Sequence, residues 1–235
     1  MAEARDHETR ERLLTAATRL FAESGFDAVT VRDISDRAKA NVAAVNYHFG
    51  GKVGLYDEVM RSAIRIMHST TEEAQREGAG RSPEEQLRAY LRVFITRIVA
   101  AAGDNWIHQL MTRELSNPTP ALDLIISQVI RPRMTFLADI MAALLQCPPD
   151  DPRVMATAFS IHSQCIGLMN HGIAERLDPA LGITRPSVDE MIDHITKFSL
   201  GGIRAIRGEG DRRQEIGVRG RQKKEYRIPV EKRAQ

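Results

Sequence analysis

Between Thr30 and Lys52 the chain has two helix-starting caps and a Gly50-Gly51 stop, a spacing that leaves room for two short helices joined by a tight turn. Thr30-Val31-Arg32-Asp33 has the form of a capping box, a hydroxyl at the N-cap and a carboxylate three residues on. Val31, Ile34 and Ala38 follow at helical spacing and are expected to point inward. Lys39-Ala40-Asn41 is the turn, and Asn41 caps the second helix. In that helix Val42, Val45 and Phe49 recur at i, i+3 and i+7 as the inward face, which leaves Ala43, Ala44, Asn46 and Tyr47 outward. The pattern is a helix-turn-helix with the second helix offered to a groove.

The outward residues assign roles. Asn46 suits bidentate pairing with an adenine edge, and Ala43 and Ala44 are small enough to approach thymine methyls. Tyr47 and His48 are phosphate donors, and Lys52 sits near the backbone. Thr30, Arg32 and the cap Asn41 complete the expected DNA-binding set, with Thr9 and Arg10 as further phosphate candidates. Tyr47 has a plain surface role as its alternative, and His48 is equally suited to bonding between helices. Asn46 has no structural alternative.

β-branched alternating segments are nearly absent, and Ala, Leu, Arg, Glu and Met abound, so the fold class is all-α. About nine helices are expected. The first spans 7–24 with Leu13, Leu14, Ala17, Leu20 and Phe21 on one face and Gly25 as its stop. Gly54 to Glu77 is a long lever. Ser82-Pro83-Glu84-Glu85 starts the next helix, and Gly103-Asp104 breaks it. Asn105–Ser116 is short. Pro120 to Gln146 is long, with a kink expected at Pro132. Helices 153–177 and 187–207 follow, joined by a loop with Pro179, Gly182 and Pro186. The domains are a helix-turn-helix domain over 7–53, a helical ligand-binding and dimerisation domain over 54–207, and a disordered basic tail over 208–235.

Formal net charge is +2. Residues 208–235 carry nine Lys/Arg against five Asp/Glu, and residues 1–52 carry eight of each sign. Phosphate affinity must therefore come from segregated charges and helix N-termini. No apolar run reaches membrane-spanning length, and the N-terminus is unlike a signal peptide. Two cysteines, Cys147 and Cys165, are too few for a disulfide framework, and a cytoplasmic location with reduced thiols is expected. No Walker A, dinucleotide glycine fingerprint, HExxH or CxxC occurs. No catalytic residue, cofactor or metal site is read: His162 and Cys165 share a helical face but read as core, as do His108 and Glu114.

Residues 9–55 resemble the DNA-binding domain of the TetR family of bacterial transcription regulators, through Arg12, Ala16-Ala17, Phe21, Gly25, Thr30, Ile34, Ala38, His48-Phe49, Lys52 and Leu55. Departures from the usual pattern are Lys39 for Gly, Ser35 for Ala and Asn46 for Tyr. Asn41–Lys52 resembles the CecR-like subgroup, as do Trp106, Arg113-Glu114, Pro118-Thr119-Pro120-Ala121-Leu122 and Ile130-Arg131-Pro132. The resemblance implies a repressor of efflux, transport or stress genes that binds a palindromic double-stranded operator as a homodimer and is released by a small molecule. For the ligand it points to a pocket with Trp106, Leu110, Phe136 and Met169 as apolar lining and Gln109, Arg113 and His162 as orienting groups. Met111, Met134, Phe159 and Gln164 are further lining candidates. Helices 153–177 and 187–207, apolar on more than one face, are the expected dimer surface. The alternatives from other classes are an all-α sensor or enzyme with a non-functional N-terminal domain, and an activator.

Overall fold

The computed structural model describes residues 2–100, 106–168 and 186–224, and its regular structure there is helical. The helices are α1 (Ala2–Ala28), α2 (Val31–Ala38), α3 (Val42–Phe49), α4 (Lys52–Gly78), α5 (Pro83–Ala100) and α6 (Trp106–Ser116). They continue as α7 (Ala121–Ile125), α8 (Arg131–Leu145), α9 (Pro152–Gly167) and α10 (Val188–Lys224). The all-α expectation holds. The Gly103-Asp104 break, Met169, His171 and the loop with Pro179 and Gly182 lie outside the described residues, as do 169–177 of the expected dimer helix and 225–235 of the tail.

The caps form as chemistry dictates. Thr30 Oγ1 accepts from the Asp33 amide (3.2 Å) while Asp33 Oδ2 accepts from the Thr30 amide (2.9 Å). Ser82 and Glu85 repeat the box at α5 and Ser187 and Glu190 at α10. At α9, Asp151 takes the Arg153 amide and guanidinium, which hold its carboxyl down at about 2. Gly25 (φ 80°, ψ 170°) interrupts α1 where a stop is expected, and helical turns resume to Ala28.

One departure follows from backbone hydrogen bonding. The interruption near Pro132 is a π turn, Ile126–Ile130, joining α7 to α8. Proline brings no amide hydrogen to the ladder, and the Arg131 amide before it reaches back five residues to the Ile126 carbonyl. Helix α10 is continuous from Val188 to Lys224.

Apolar packing divides into two cores, and each draws residues from distant parts of the chain. The first joins Leu13, Phe21, Ile34 and Val45 to Leu55, Val59 and Ala63 of α4, and also to Leu110, Ile125 and Val129. The second joins α5, α8, α9 and α10 through Leu87, Leu91, Ile95, Leu137, Met141, Ala158, Ile161 and Ile195. Helix α4 and the α7–α8 rod serve both.

At the seam lies a buried carboxylate. Glu114 of α6 is 1% exposed. It accepts from the Tyr56 hydroxyl of α4, and from the Thr119 amide (3.2 Å) and hydroxyl (3.0 Å). Tyr56 in turn packs edge-on against Phe21 (4.9 Å). Burial, then the Glu114 bond, push the Tyr56 phenol above its ordinary range. In the second core the Tyr90 hydroxyl pairs with His162 Nδ1 at 2.8 Å. Burial, then the nearby Arg133 charge, lower the imidazole to about 4. Cys165, one turn on, is fully buried, and its thiol is pushed up to about 12.

Two outcomes follow. Glu114→Ala strands the Tyr56 hydroxyl and Thr119 amide and is expected to cost about 2–4 kcal/mol in denaturant unfolding; a loss below about 0.5 kcal/mol contradicts this account of the seam. His162 binds a proton less readily folded than unfolded, so its contribution is intact above about pH 6.5 and is lost as pH falls toward about 4, by roughly 2–3 kcal/mol. His162→Gln is expected to flatten that part of the stability–pH curve, measured by urea unfolding.

Candidate nucleic-acid interface

The turn between α2 and α3 is closed from both sides. Lys39 adopts the left-handed conformation (φ 51°) and its amide donates to the Asp36 carbonyl, so a side chain occupies the position where the family pattern has Gly. Asn41 Oδ1 accepts from the Ala43 amide (2.8 Å) and starts α3. The far end is fixed by contact with α4: a Cβ on Gly54 would lie 1.9 Å from the Phe49 carbonyl oxygen, so only glycine permits this approach.

Helix α3 is rotated from the expected register. Val45 is fully buried, and Ala44 and Phe49 pack against the first core. Val42, expected inward, is 45% exposed. The residues packed inward are therefore Val45 and Phe49 with Ala44, which is half-buried. With one-turn spacing, Val42 stands beside Asn46 and Ala43 beside Tyr47, so the exposed face is Val42, Ala43, Asn46 and Tyr47. Val42 is the exposed residue that the expected register places inward, and it stands at the first helical position, where the chain enters from solvent. Tyr47 is 78% exposed with its ring edge-on to His48. Neither Asn46 nor Tyr47 makes a side-chain hydrogen bond among the described residues.

Other predicted contacts have work within the fold. The His48 side chain is 7% exposed, with Nε2 3.6 Å from Asp6 of α1. Lys52 Nζ sits 4.3 Å over the Phe26 ring and donates to the Asp27 carbonyl, which pins α4 to the end of α1. Arg10 lies 5.0 Å over the Phe49 ring and pairs with Glu58. The Thr9 hydroxyl donates to the Arg5 carbonyl of its own helix. The Thr30 side chain is committed to its cap, whereas Arg32 beside it is exposed and only 4.0 Å from Asp36.

The residues expected around a ligand separate into two groups. Leu110 and Trp106 of α6 pack into the first core, and Arg113 Nη2 donates to the Glu23 carbonyl of α1 (2.6 Å). They tie α6 to α1 and to the first core. Gln109 is exposed. Phe136 and His162 instead gather with Tyr90 and Phe94 in the second core. Phe159 is exposed on α9 and Gln164 bonds its own helix. A cavity of about 350 Å³ lies between α4 and α5, with Glu73, Glu77, Arg92 and Arg97 on its walls.

No helix among the described residues is long and apolar enough to cross a membrane. Residues 13–59 match the family described as bacterial regulatory proteins, tetR family. Residues 83–203 match the C-terminal domain of the HTH-type transcriptional dual regulator CecR. The CecR protein of Shigella flexneri is 31% identical over 159 residues, which is 63% of this chain and 70% of that protein. The probable transcriptional regulator YttP of Bacillus subtilis is 33% identical over 79 residues, 34% of this chain and 38% of that protein. Among solved structures, a Clostridium perfringens putative fatty acid metabolism regulator superposes with a TM-score of 0.61 at 18% identity, over 81% of this chain and 97% of its own. SmeT, solved as a triclosan complex, gives 0.55 at 20% identity, over 83% and 90%. With its N-terminal domain, its C-terminal domain and its fold all matching transcription regulators rather than enzymes, the chain belongs to the TetR family, in its CecR-like branch.

Proposed function

We propose that the protein is a dimeric, ligand-responsive repressor that reads a palindromic operator, working in the cytoplasm on transport or stress genes. The observation that carries the reading is the exposed face of α3, where Asn46 and Tyr47 stand with unspent hydrogen-bonding groups beside two apolar residues. Asn46 reads an adenine edge, Val42 and Ala43 approach thymine methyls, and Tyr47 and Arg32 hold phosphates. The caps of α2 and α3 are complete, which argues against a degenerate N-terminal domain.

The dimer forms through α9 and α10. Phe159 (52% exposed) and Phe198 (65%) are large apolar side chains left to solvent on these two helices. Two-fold pairing there covers them and sets two α3 helices about 34–36 Å apart, one turn of DNA. Helix α6 supplies the coupling. It holds α1 through Arg113 and α4 through Glu114, so a ligand that shifts α6 moves both supports of α3. A second reading, action as both repressor and activator, is favoured by the name of the Shigella flexneri relative, a dual regulator. Operator position relative to the promoter separates the two.

Wild-type protein is expected to shift DNA from upstream of its own gene in a gel assay, and absence of a shift at low salt by a folded dimer ends the proposal. Asn46→Ala is expected to relax sequence preference by ~1–3 kcal/mol at one base pair per half-site. Tyr47→Phe is expected to weaken all sites about equally, and a footprint unchanged by Asn46→Ala refutes base reading. Phe198→Glu is expected to give monomers in sedimentation and lower operator affinity by at least about tenfold. A dimer undisturbed by both Phe198→Glu and Phe159→Glu places the interface elsewhere.

A further inference from the structure

Arg133 of α8 carries a buried positive charge that the fold does not balance. The residue is 7% exposed. Its Nε donates to Thr71 Oγ1 (3.1 Å), its Nη2 to the Met67 carbonyl (2.7 Å), and the guanidinium lies 4.7 Å over the Phe94 ring. All three partners are neutral. No carboxylate among the described residues pairs with it, and its Nη1 group makes no hydrogen bond there. Buried charges in folded proteins are ordinarily paired, because desolvation is otherwise uncompensated. A structural tether between α4 and α8 needs hydrogen-bond donors, but it has no need of a charge that cannot be neutralised.

Aromatic rings and a second polar side chain surround the guanidinium. The His162 ring lies 5.1 Å from the same Phe94 ring that Arg133 covers. Burial keeps His162 neutral above about pH 4. Tyr90 and His162 Nδ1 share one hydrogen bond, which leaves Nε2 as the second polar atom of the ring in the same cluster. Tyr90 and Phe94 stack with ring centroids 5.6 Å apart, and Phe136 is tilted 6.4 Å from Tyr90. A planar guanidinium fork matches a carboxylate.

We infer that Arg133, with His162 beside it, binds the carboxylate of an apolar or aromatic monocarboxylic acid whose body packs among Phe94 and Phe136. Calling that acid the effector rests on the regulator reading; the site itself does not. The Arg133 bonds to Met67 and Thr71 land on α4, the helix that begins beside α3. A carboxylate drawing on the guanidinium competes with them, which connects occupancy to the DNA-binding end.

The test uses the full-length wild-type chain with matched probes: benzoate, naphthoate and octanoate, each against its own carboxamide, by thermal shift and calorimetry. At least one acid is expected to raise the melting temperature and to bind at least about tenfold more tightly than its amide. Arg133→Met is expected to erase that preference, and Arg133→Lys to keep part of it and to serve if the Met variant does not fold. Acids and amides binding alike, or none of the six binding, overturns the site and leaves Arg133 a tether. A gel shift on the same samples separates the two claims. An acid that binds but leaves operator affinity unchanged supports the site and removes its effector role. Acid binding by a protein that never shifts operator DNA supports the site and removes the regulator reading.

Discussion

The buried carboxylate of Glu114 is the interaction on which the arrangement of the two halves depends. A charge out of water must be met by donors, and here they come from two directions, the Tyr56 hydroxyl on α4 and Thr119 at the corner between α6 and α7. With α6 fixed, Leu110 is delivered to the first core and Arg113 to the end of α1. The seam is thus specified by polar satisfaction and filled by apolar packing, and apolar packing alone would permit α6 to slide.

Charge within the DNA-binding helices is distributed by the same economy. Arg10, Arg37 and Lys52 are each held by a carboxylate, a carbonyl or an aromatic face of the fold. Their first task is to brace α1, α2 and α4 around α3. A formally neutral domain braced in this way gains little from diffuse attraction to phosphate, so under the proposed function discrimination falls to the few groups of α3 that have no partner inside the protein.

Much of this was legible in the sequence because it is local chemistry. The boxes at Thr30–Asp33 and Ser82–Glu85, the cap at Asn41 and the break at Gly25 are set by residues within one turn of each other, and the structure has them where the sequence places them. What escaped is tertiary. Val42 and Ala44 are both small apolar residues one turn or less from Val45, and only the approach of α1 and α4 decides which is covered. Leu110 and Phe136 look alike as pocket lining, yet the Glu114 seam sends one to each core. His48 reads equally as phosphate donor or brace until Asp6, far away in sequence, arrives beside it.

The π turn at Ile126–Ile130 makes one rod answer to two masters. Ile125 and Val129 face the first core, Met134, Leu137 and Met141 face the second, and Ile130 touches both. A single residue more or less turns a helical surface by about 100°. The wide turn absorbs such an offset, letting α7 and α8 each present their apolar side where it is needed. The length of this segment is therefore a heritable constraint distinct from its composition. Point substitutions along it can drift, whereas a one-residue deletion would swing α8 out of phase with α5 and carry Arg133 away from Phe94. Among relatives, a gap here would mark a protein whose interior has been rebuilt, even where the flanking residues still align.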